Sequence, residues 1–370
     1  DVRLSLMANE TGTPILRLPE LLKFQNLLDL DVKDSGWSNE LFANVVTTLT
    51  RLTGLTVSQG RLTGKLPAGL WKLTRLKNLN ILECGEYGDV SNISKLVDLT
   101  YLSLNGETGG SNFPSTIGKL SKLIYFRWLG NHKSGGIIPD GVSELVSLNS
   151  FFIDDGNISG TIPRALFKMG HKKGKRLRIS LANNRLHGLI PRISDLAYTF
   201  ECGHNALSGF FPDAFNHTQM LVEFFAHNNR LEGRIPVGLS RNRFFCKLGL
   251  NNNFLSGPIP NELTEFDPSY FRWLDLSNNN FSGTVPEAFM RYVADDNVLV
   301  CLNLCGNPLL NLSRLEPASG NPLALALYKK LGQGRDENGT LGNLTNAGPI
   351  CQYGLSQQEL LSPVEQFSLG

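Results

Sequence analysis

No stretch of this sequence is apolar over the roughly 20 residues that a membrane-crossing helix needs. Residues 1 to 20 also lack the basic and apolar regions of a secretory leader. Charge of one sign is missing as well: 35 Lys and Arg stand against 33 Asp and Glu, a formal net charge of +2. Such a balance gives no bulk drive toward nucleic acid or anionic membrane. Histidines are few and scattered, at His132, His171, His187, His204, His217 and His227, and no H-E-x-x-H, C-x-x-C, G-x-S-x-G or P-loop occurs. The tail stretch "GQGRDENG" has glycines but neither a preceding strand nor phosphate-loop spacing. These absences argue against an enzyme, a cofactor, a nucleic-acid partner and a membrane span in this chain.

What the sequence does contain is repetition. "LANNRLHGLIPRI" (181 to 193), "AHNNRLEGRIPVGL" (226 to 239), "LNNNFLSGPIPNEL" (250 to 263) and "LSNNNFSGTVPEAF" (276 to 289) are versions of one unit. Its prolines fall at Pro67, Pro114, Pro139, Pro163, Pro191, Pro212, Pro236, Pro260 and Pro286, with separations of 47, 25, 24, 28, 21, 24, 24 and 26 residues. The 47 conceals a degenerate copy around "LNILECGEYGDV", so the period is about 24 residues, within the range of leucine-rich repeats.

The full unit reads L-x-x-L-x-L-x-x-N-x-L-x-G-x-I-P-x-x-L-x-x-L. Its L-x-L pair has the two-residue alternation of a strand, and its later leucines have three-residue spacing. One unit cannot bury its apolar face alone, so successive units are expected to stack about 4.8 Å apart into a curved solenoid. A hydrophobic content of 41% supplies a continuous core. The ladder position, three residues after the second leucine, holds Asn131, Asn184, Asn205, Asn229, Asn253, Asn279 and Asn307. An asparagine there can donate to and accept from the backbone of adjacent turns. Cys84 occupies the ladder site of the degenerate copy, and Cys202 an inward apolar site, where a free thiol acts as a small hydrophobe.

The repeated L-x-G-x-I-P signature resembles the plant-type leucine-rich repeats of receptor-like kinase ectodomains, receptor-like proteins and polygalacturonase inhibitors. The resemblance covers residues 1 to about 310. It implies an α/β solenoid, a horseshoe of about 12 to 13 repeats, with a parallel sheet on the concave face and short 3-10 or irregular convex segments. It also implies recognition of peptides, proteins or carbohydrates. Two features depart from that pattern: no Cys precedes Cys84, so the usual paired-cysteine cap is missing, and no membrane or kinase segment follows. "VRLSLMAN" at 2 to 9 itself fits L-x-L-x-x-N, so the chain is expected to begin inside a repeat, and Asp1 in place of Met points to processing or truncation.

"CLNLCGNPLL" (301 to 310) reads as the last repeat, leaving 311 to 370 as a C-terminal cap and extended tail. Cys301 and Cys305 are too far apart on a strand to bond each other, so Cys351 is expected to pair with one of them, while Cys246 has no evident partner. Eight N-x-S/T sequons occur, at Asn9, Asn92, Asn157, Asn216, Asn280, Asn311, Asn338 and Asn343. Their density points to a secreted or cell-surface glycoprotein. Asn9 is the awkward case, because ladder and glycan compete for one side chain.

The column between the paired apolar positions runs Asp31, Thr56, Asn80, Ser103, Arg127, Phe152, Ser180, Glu201, Phe225, Gly249, Asp275, Asn303. Two phenylalanines expected to be exposed share it with Arg127 and Glu201, and Tyr125, Asp154, Asp155, Glu223 and His227 flank them. Aromatics rimmed by charge have the composition of interface anchors. The candidate ligand site is therefore Tyr125, Arg127, Phe152, Asp154, Glu201, Glu223, Phe225 and His227, with the sequons placed off that face. Glu201, His204 and His227 also project from neighbouring turns, but without a fourth ligand or regular spacing they read as a polar face and no metal site is assigned. The run His171 to Arg176, "HKKGKR", reads as a solvated bulge, with an acidic or sulfated polymer as the alternative partner. The expected function is non-enzymatic binding of a protein or peptide through the concave face. The alternatives are a subunit of an extracellular matrix, coat or filament, and an inhibitor of a secreted hydrolase.

Overall fold

A computed structural model describes residues 3–7, 23–33, 39–58, 65–84, 89–106, 112–129, 135–170, 176–211, 215, 218–267, 269–287 and 301–311. Thirteen parallel strands form one sheet in strict chain order, from Arg3–Met7 through Asp29–Lys33 and Gly54–Ser58 to Cys301–Asn303. The register is the one that the L-x-L pattern demands. Leu79 lies beside Leu102, Leu102 beside Phe126, and Phe126 beside Phe151, so inward positions stack on inward positions.

The first inward position changes along the sheet. Leu30, Leu55, Leu79 and Leu102 give way to Phe126, Phe151, Ile179, Phe200 and Phe224, and then to Leu248, Leu274 and Leu302, all buried. Phe126 and Phe151 pack at 5.3 Å and Phe200 and Phe224 at 5.8 Å, so the middle of the solenoid has two aromatic pairs separated by Ile179.

The asparagine ladder forms. Asn229 Nδ2 donates to Cys202 O (3.0 Å) and its Oδ1 accepts from Leu207 N (2.9 Å), both in the preceding repeat. Asn253 repeats this with Ala226 O and Leu231 N, and Asn279 with Leu250 O and Leu255 N. Asn184, Asn205 and Asn307 make the equivalent bonds. Each side chain thus stitches two turns together by satisfying one backbone donor and one acceptor at the bend. The residue before the ladder adopts left-handed φ near 55° at Asn183, His204, Asn228, Asn252 and Asn278. Asparagine tolerates that conformation, so the doubled Asn of the motif has two separate duties. Asn131 lies outside the described residues, as does the side chain of Cys84, whose backbone ends the strand Asn78–Cys84. Cys202 is fully buried, as its inward position requires.

Two features differ from the sequence-based expectation. The expected solenoid has a single sheet, on the concave face, yet the L-x-G-x-I-P stretch builds a second parallel sheet of seven strands, from Ser159–Gly160 to Leu309–Asn311. Gly160, Gly188, Gly209, Gly233, Gly257 and Gly283 in these strands have φ between 78° and 84°. Each lies beneath a side chain of the preceding repeat; a Cβ on Gly233 would meet Phe210 Cδ1 at 2.5 Å. The motif glycine is therefore required by conformation throughout, and at Gly209 and Gly233 by close approach as well. The convex side also departs from the expected short 3-10 segments at one place, the α-helix α1, Asn39–Thr48. There Phe42, Val45, Val46 and Leu49 are buried at helical spacing, a periodicity longer than the three-residue spacing of other repeats. Elsewhere most of the described convex segments are 3-10 helices, and Ala68–Lys72 and Asn261–Glu265 among them are entered through the motif proline. No helix among the described residues is long and apolar enough to cross a membrane.

Candidate functional site

The concave column is realised in full. Strand pairing sets Arg127 beside Phe152, Phe152 beside Ser180, Ser180 beside Glu201, Glu201 beside Phe225, and Phe225 beside Gly249. The flanking column runs Tyr101, Tyr125, Ser150, Arg178, Thr199, Glu223, Lys247. Both columns face away from the core because the two-residue alternation turns Phe126, Phe151, Phe200 and Phe224 inward.

At one end, Tyr101 and Tyr125 stack at 4.6 Å, and Tyr125 meets Phe152 edge-on at 5.7 Å. At the other, Phe225 meets His227 at 6.3 Å, and His227 meets His204 at 5.0 Å. Phe152 and Phe225 were expected to be exposed; both are half-buried. For Phe225 the cause is Gly249 on the next strand, where a Cβ would stand 2.6 Å from the ring. Gly203 does the same for His227, with a built Cβ 2.5 Å from the imidazole. Two glycines thus seat two rings flat against the sheet.

Between Phe152 and Phe225 lies a cavity of about 150 Å³, lined also by Arg178, Ser180, Tyr198, Glu201 and Glu223. Ser180 Oγ is 2.5 Å from Asp154 Oδ1 and 3.3 Å from Glu201 Oε2, and Asp154 also accepts the Ala182 N–H at 3.0 Å. Burial, and after it the charge of Asp154, pushes the Glu201 carboxyl up to about 6. Burial likewise raises Asp154, against the hydrogen bonds from Ser180 and Ala182. One hydroxyl proton cannot serve two carboxylates, whereas a protonated Glu201 donates to Ser180 Oγ while Ser180 donates to Asp154. Glu223 pairs with Lys247 at 3.2 Å. Burial lowers His227, and the neighbouring His204 adds to the effect. Arg127 is exposed at the rim.

All eight residues of the candidate site fall on these two columns or at the strand ends beside them. Tyr101, Arg178, Tyr198 and Lys247 were missed. For Tyr101, Arg178 and Lys247 the signal was available one strand position before each inward residue, in the column that contains Tyr125 and Glu223, whereas Tyr198 stands at the register shift between Ala197 and Thr199. The guanidinium of Arg176 lies 4.7 Å from the Tyr198 ring centre, and Arg178 6.0 Å. The rest of the basic run, His171 to Lys175, lies outside the described residues. Among the described residues no group of three or more His, Cys, Asp or Glu is arranged to hold a metal ion.

The sequons fall off the concave sheet wherever they are described. Asn92 is half-buried in the 3-10 helix Ser91–Lys95, and Asn157 is half-buried with φ 53°. Asn280 and Asn311 are exposed on the second sheet. Asn9, Asn216, Asn338 and Asn343 lie outside the described residues, as does Cys351, and with it the expected pairing to Cys301 or Cys305. Cys246 is buried beside Tyr198 and Val222, and burial raises its thiol to about 11.

The family described as Leucine Rich Repeat matches residues 270–291. Receptor-like protein 35 of Arabidopsis thaliana is 28% identical over 179 residues, which is 48% of this chain and 17% of that protein. Among solved structures, a TDR receptor aligns with a TM-score of 0.63 at 23% identity, covering 79% of this chain and 53% of that one. The plant peptide hormone receptor RGFR1 in complex with RGF2 aligns with a TM-score of 0.58 at 20% identity, covering 79% and 48%. This chain therefore spans about half of the solved ectodomains it resembles and a smaller part of the receptor-like protein. At these identities the structures speak to the fold.

Proposed function

We propose that this chain, a plant-type leucine-rich-repeat protein, is an extracellular, non-enzymatic recognition module whose concave face binds a protein or peptide. The observation that carries this reading is the cavity between Phe152 and Phe225. Stacking of repeats requires inward apolar side chains and ladder asparagines; it does not require aromatic rings, half-buried carboxylates and paired glycine seats on the outward face. Those features instead match the centre of an interface, where rings anchor and charges at the rim select. The structural neighbour RGFR1, held in complex with RGF2, is a precedent for peptide binding by this architecture. Sequons placed off the concave sheet leave that face open to a partner, and their density agrees with passage through the secretory route.

The test has two stages. Native mass determination of source-purified protein, with and without cross-linking, separates a discrete complex from long homopolymers; homopolymers would favour the structural-subunit alternative. For a discrete partner, Phe152→Ala with Phe225→Ala is expected to cost about 2 kcal/mol or more, roughly a thirtyfold loss of affinity. Neither ring points into the core, so melting should change little. Unchanged affinity in the double variant would remove the concave site from consideration.

A further inference from the structure

A second and larger cavity opens where the second sheet passes into the convex face. The prolines Pro163, Pro191 and Pro212 stand 28 and 21 residues apart, one repeat longer and the next shorter than the common 24. The longer repeat crosses the convex side with the 3-10 helix Arg164–Lys168. The shorter one crosses from Pro191 to Ala197 with only a turn at Asp195 and Leu196. A missing helix beside a present one leaves a groove of about 1060 Å³, at the upper end of what small-ligand sites occupy.

The floor of this groove is apolar, with Ile162, Phe167, Ile190 and Ile193 buried. Its rim is cationic. Arg164, Lys168 and Arg192 are exposed and line the groove, and none forms an ion pair with a described residue. Asp195 is the acid among the lining residues. Three fixed cations against one carboxylate, around a concave apolar floor, make a receptor for an anion with a partly apolar body. Guanidinium groups in particular match carboxylate and sulfate bidentately.

We propose that this groove binds an acidic oligosaccharide, a glycan chain carrying carboxylate or sulfate groups. An acidic peptide fits less well, because the bordering strands are already paired: Arg185 with Ser159, Leu186 with Gly160, and His187 with Ala206. Ser159–Gly160 ends its sheet, but Ser159 is bridged on the other side to Ile137, so among the described residues no open strand edge borders the groove to receive a peptide main chain. A pyranose ring asks instead for an apolar surface under its face and for hydroxyl or charged partners at its edge. The isoleucine floor supplies the first, and the Thr161 and Ser194 hydroxyls with the three cations supply the second. The groove shares no residue with the concave cavity, so the two sites stand or fall separately.

Calorimetric titration of the purified chain with a mannuronate hexamer, a neutral mannose hexamer and a hexaglutamate peptide tests this assignment. The uronate hexamer should bind, more weakly at high salt, and the neutral hexamer should not. Arg164→Gln with Arg192→Gln should weaken uronate binding about tenfold, as expected for the loss of two solvent-facing charge contacts. Both side chains are exposed, so melting should be unchanged, and Phe152→Ala with Phe225→Ala should bind uronate normally. Absent uronate binding, equal binding of the neutral hexamer, or unchanged affinity in the arginine double variant would overturn the proposal. Tighter binding of hexaglutamate would also overturn it, assigning the groove to acidic peptides.

Discussion

Glu201→Gln isolates the free energy of charging the middle of the concave face. In the folded chain the Glu201 carboxyl titrates at about 6 instead of the ordinary 4.5, chiefly through burial and next through Asp154. The folded state therefore holds this proton more tightly than the unfolded state does. The resulting stabilisation is complete below about pH 4.5 and is lost as pH rises through about 6. At about 1.4 kcal/mol per pH unit, that interval corresponds to about 2 kcal/mol. Glutamine keeps the shape and can still donate to Ser180 Oγ, but it never becomes charged.

The variant should thus unfold with nearly wild-type stability at pH 4 and gain about 2 kcal/mol on the wild type by pH 7.5. Urea titration followed by tryptophan fluorescence, at several pH values across this range, measures the difference. His227 works in the opposite direction: its lowered value means that stability is lost as pH falls below the ordinary histidine value of 6.5. That residue is present in both proteins and cancels when they are subtracted. A difference that stays flat with pH, or that shrinks as pH rises, refutes the assignment of Glu201 as a carboxyl whose burial raises it to about 6.

Asn229→Ala removes the bonds to Cys202 O and Leu207 N and should destabilise by about 1 to 3 kcal/mol, read from the urea midpoint, because two buried backbone groups lose their partner. Gly249→Ala places a methyl where Phe225 lies; it should weaken binding of the concave partner with little loss of stability, and retained affinity would show that the seated ring is not an anchor. Peptide mapping of source-purified protein should find glycans at Asn157 and Asn280, with Cys202 unreactive toward alkylation until the chain unfolds. Mapping should also find Cys351 bridged to Cys301 or Cys305; unmodified asparagines with every cysteine alkylated would argue for an intracellular protein.

The concave sheet was legible because its two signals are local and redundant. L-x-L alternation sets which residues face inward, and the asparagine three positions later sets the bend, so Arg127, Phe152, Glu201 and Phe225 could be aligned by counting. The second sheet was not legible from the same counting. Its strands are short, and some of them, such as Arg185–Gly188 and Arg230–Gly233, end on a glycine with positive φ. Alone they carry turn chemistry; they become strands only because the neighbouring repeat supplies hydrogen-bond partners. Half-burial of Phe225 was hidden for a related reason, since it depends on which residue the adjacent strand places alongside, here Gly249. Helix α1 was missed because it lies ahead of Pro67, the first proline of the register, where the L-x-G-x-I-P signature is not there to mark the repeat.

Both candidate sites arise where the chain departs from what stacking demands. A repeat in perfect register would put small polar residues on the outward column and a 3-10 helix on every convex turn. It would offer a uniform surface with nowhere for one ligand to prefer. The concave cavity exists because the rings of Phe152 and Phe225 flank Ser180 and Glu201, with Gly249 giving Phe225 somewhere to lie. The convex groove exists because 28 residues are followed by 21, which leaves three cations facing a gap. Neither departure weakens the core, since Phe151, Ile179, Phe200 and Phe224 remain buried beneath the cavity and Leu166, Ile190 and Ile193 near the groove. Variation confined to the outer positions leaves stacking intact, so an additive fold can differentiate one stretch of its surface without altering the repeats on either side.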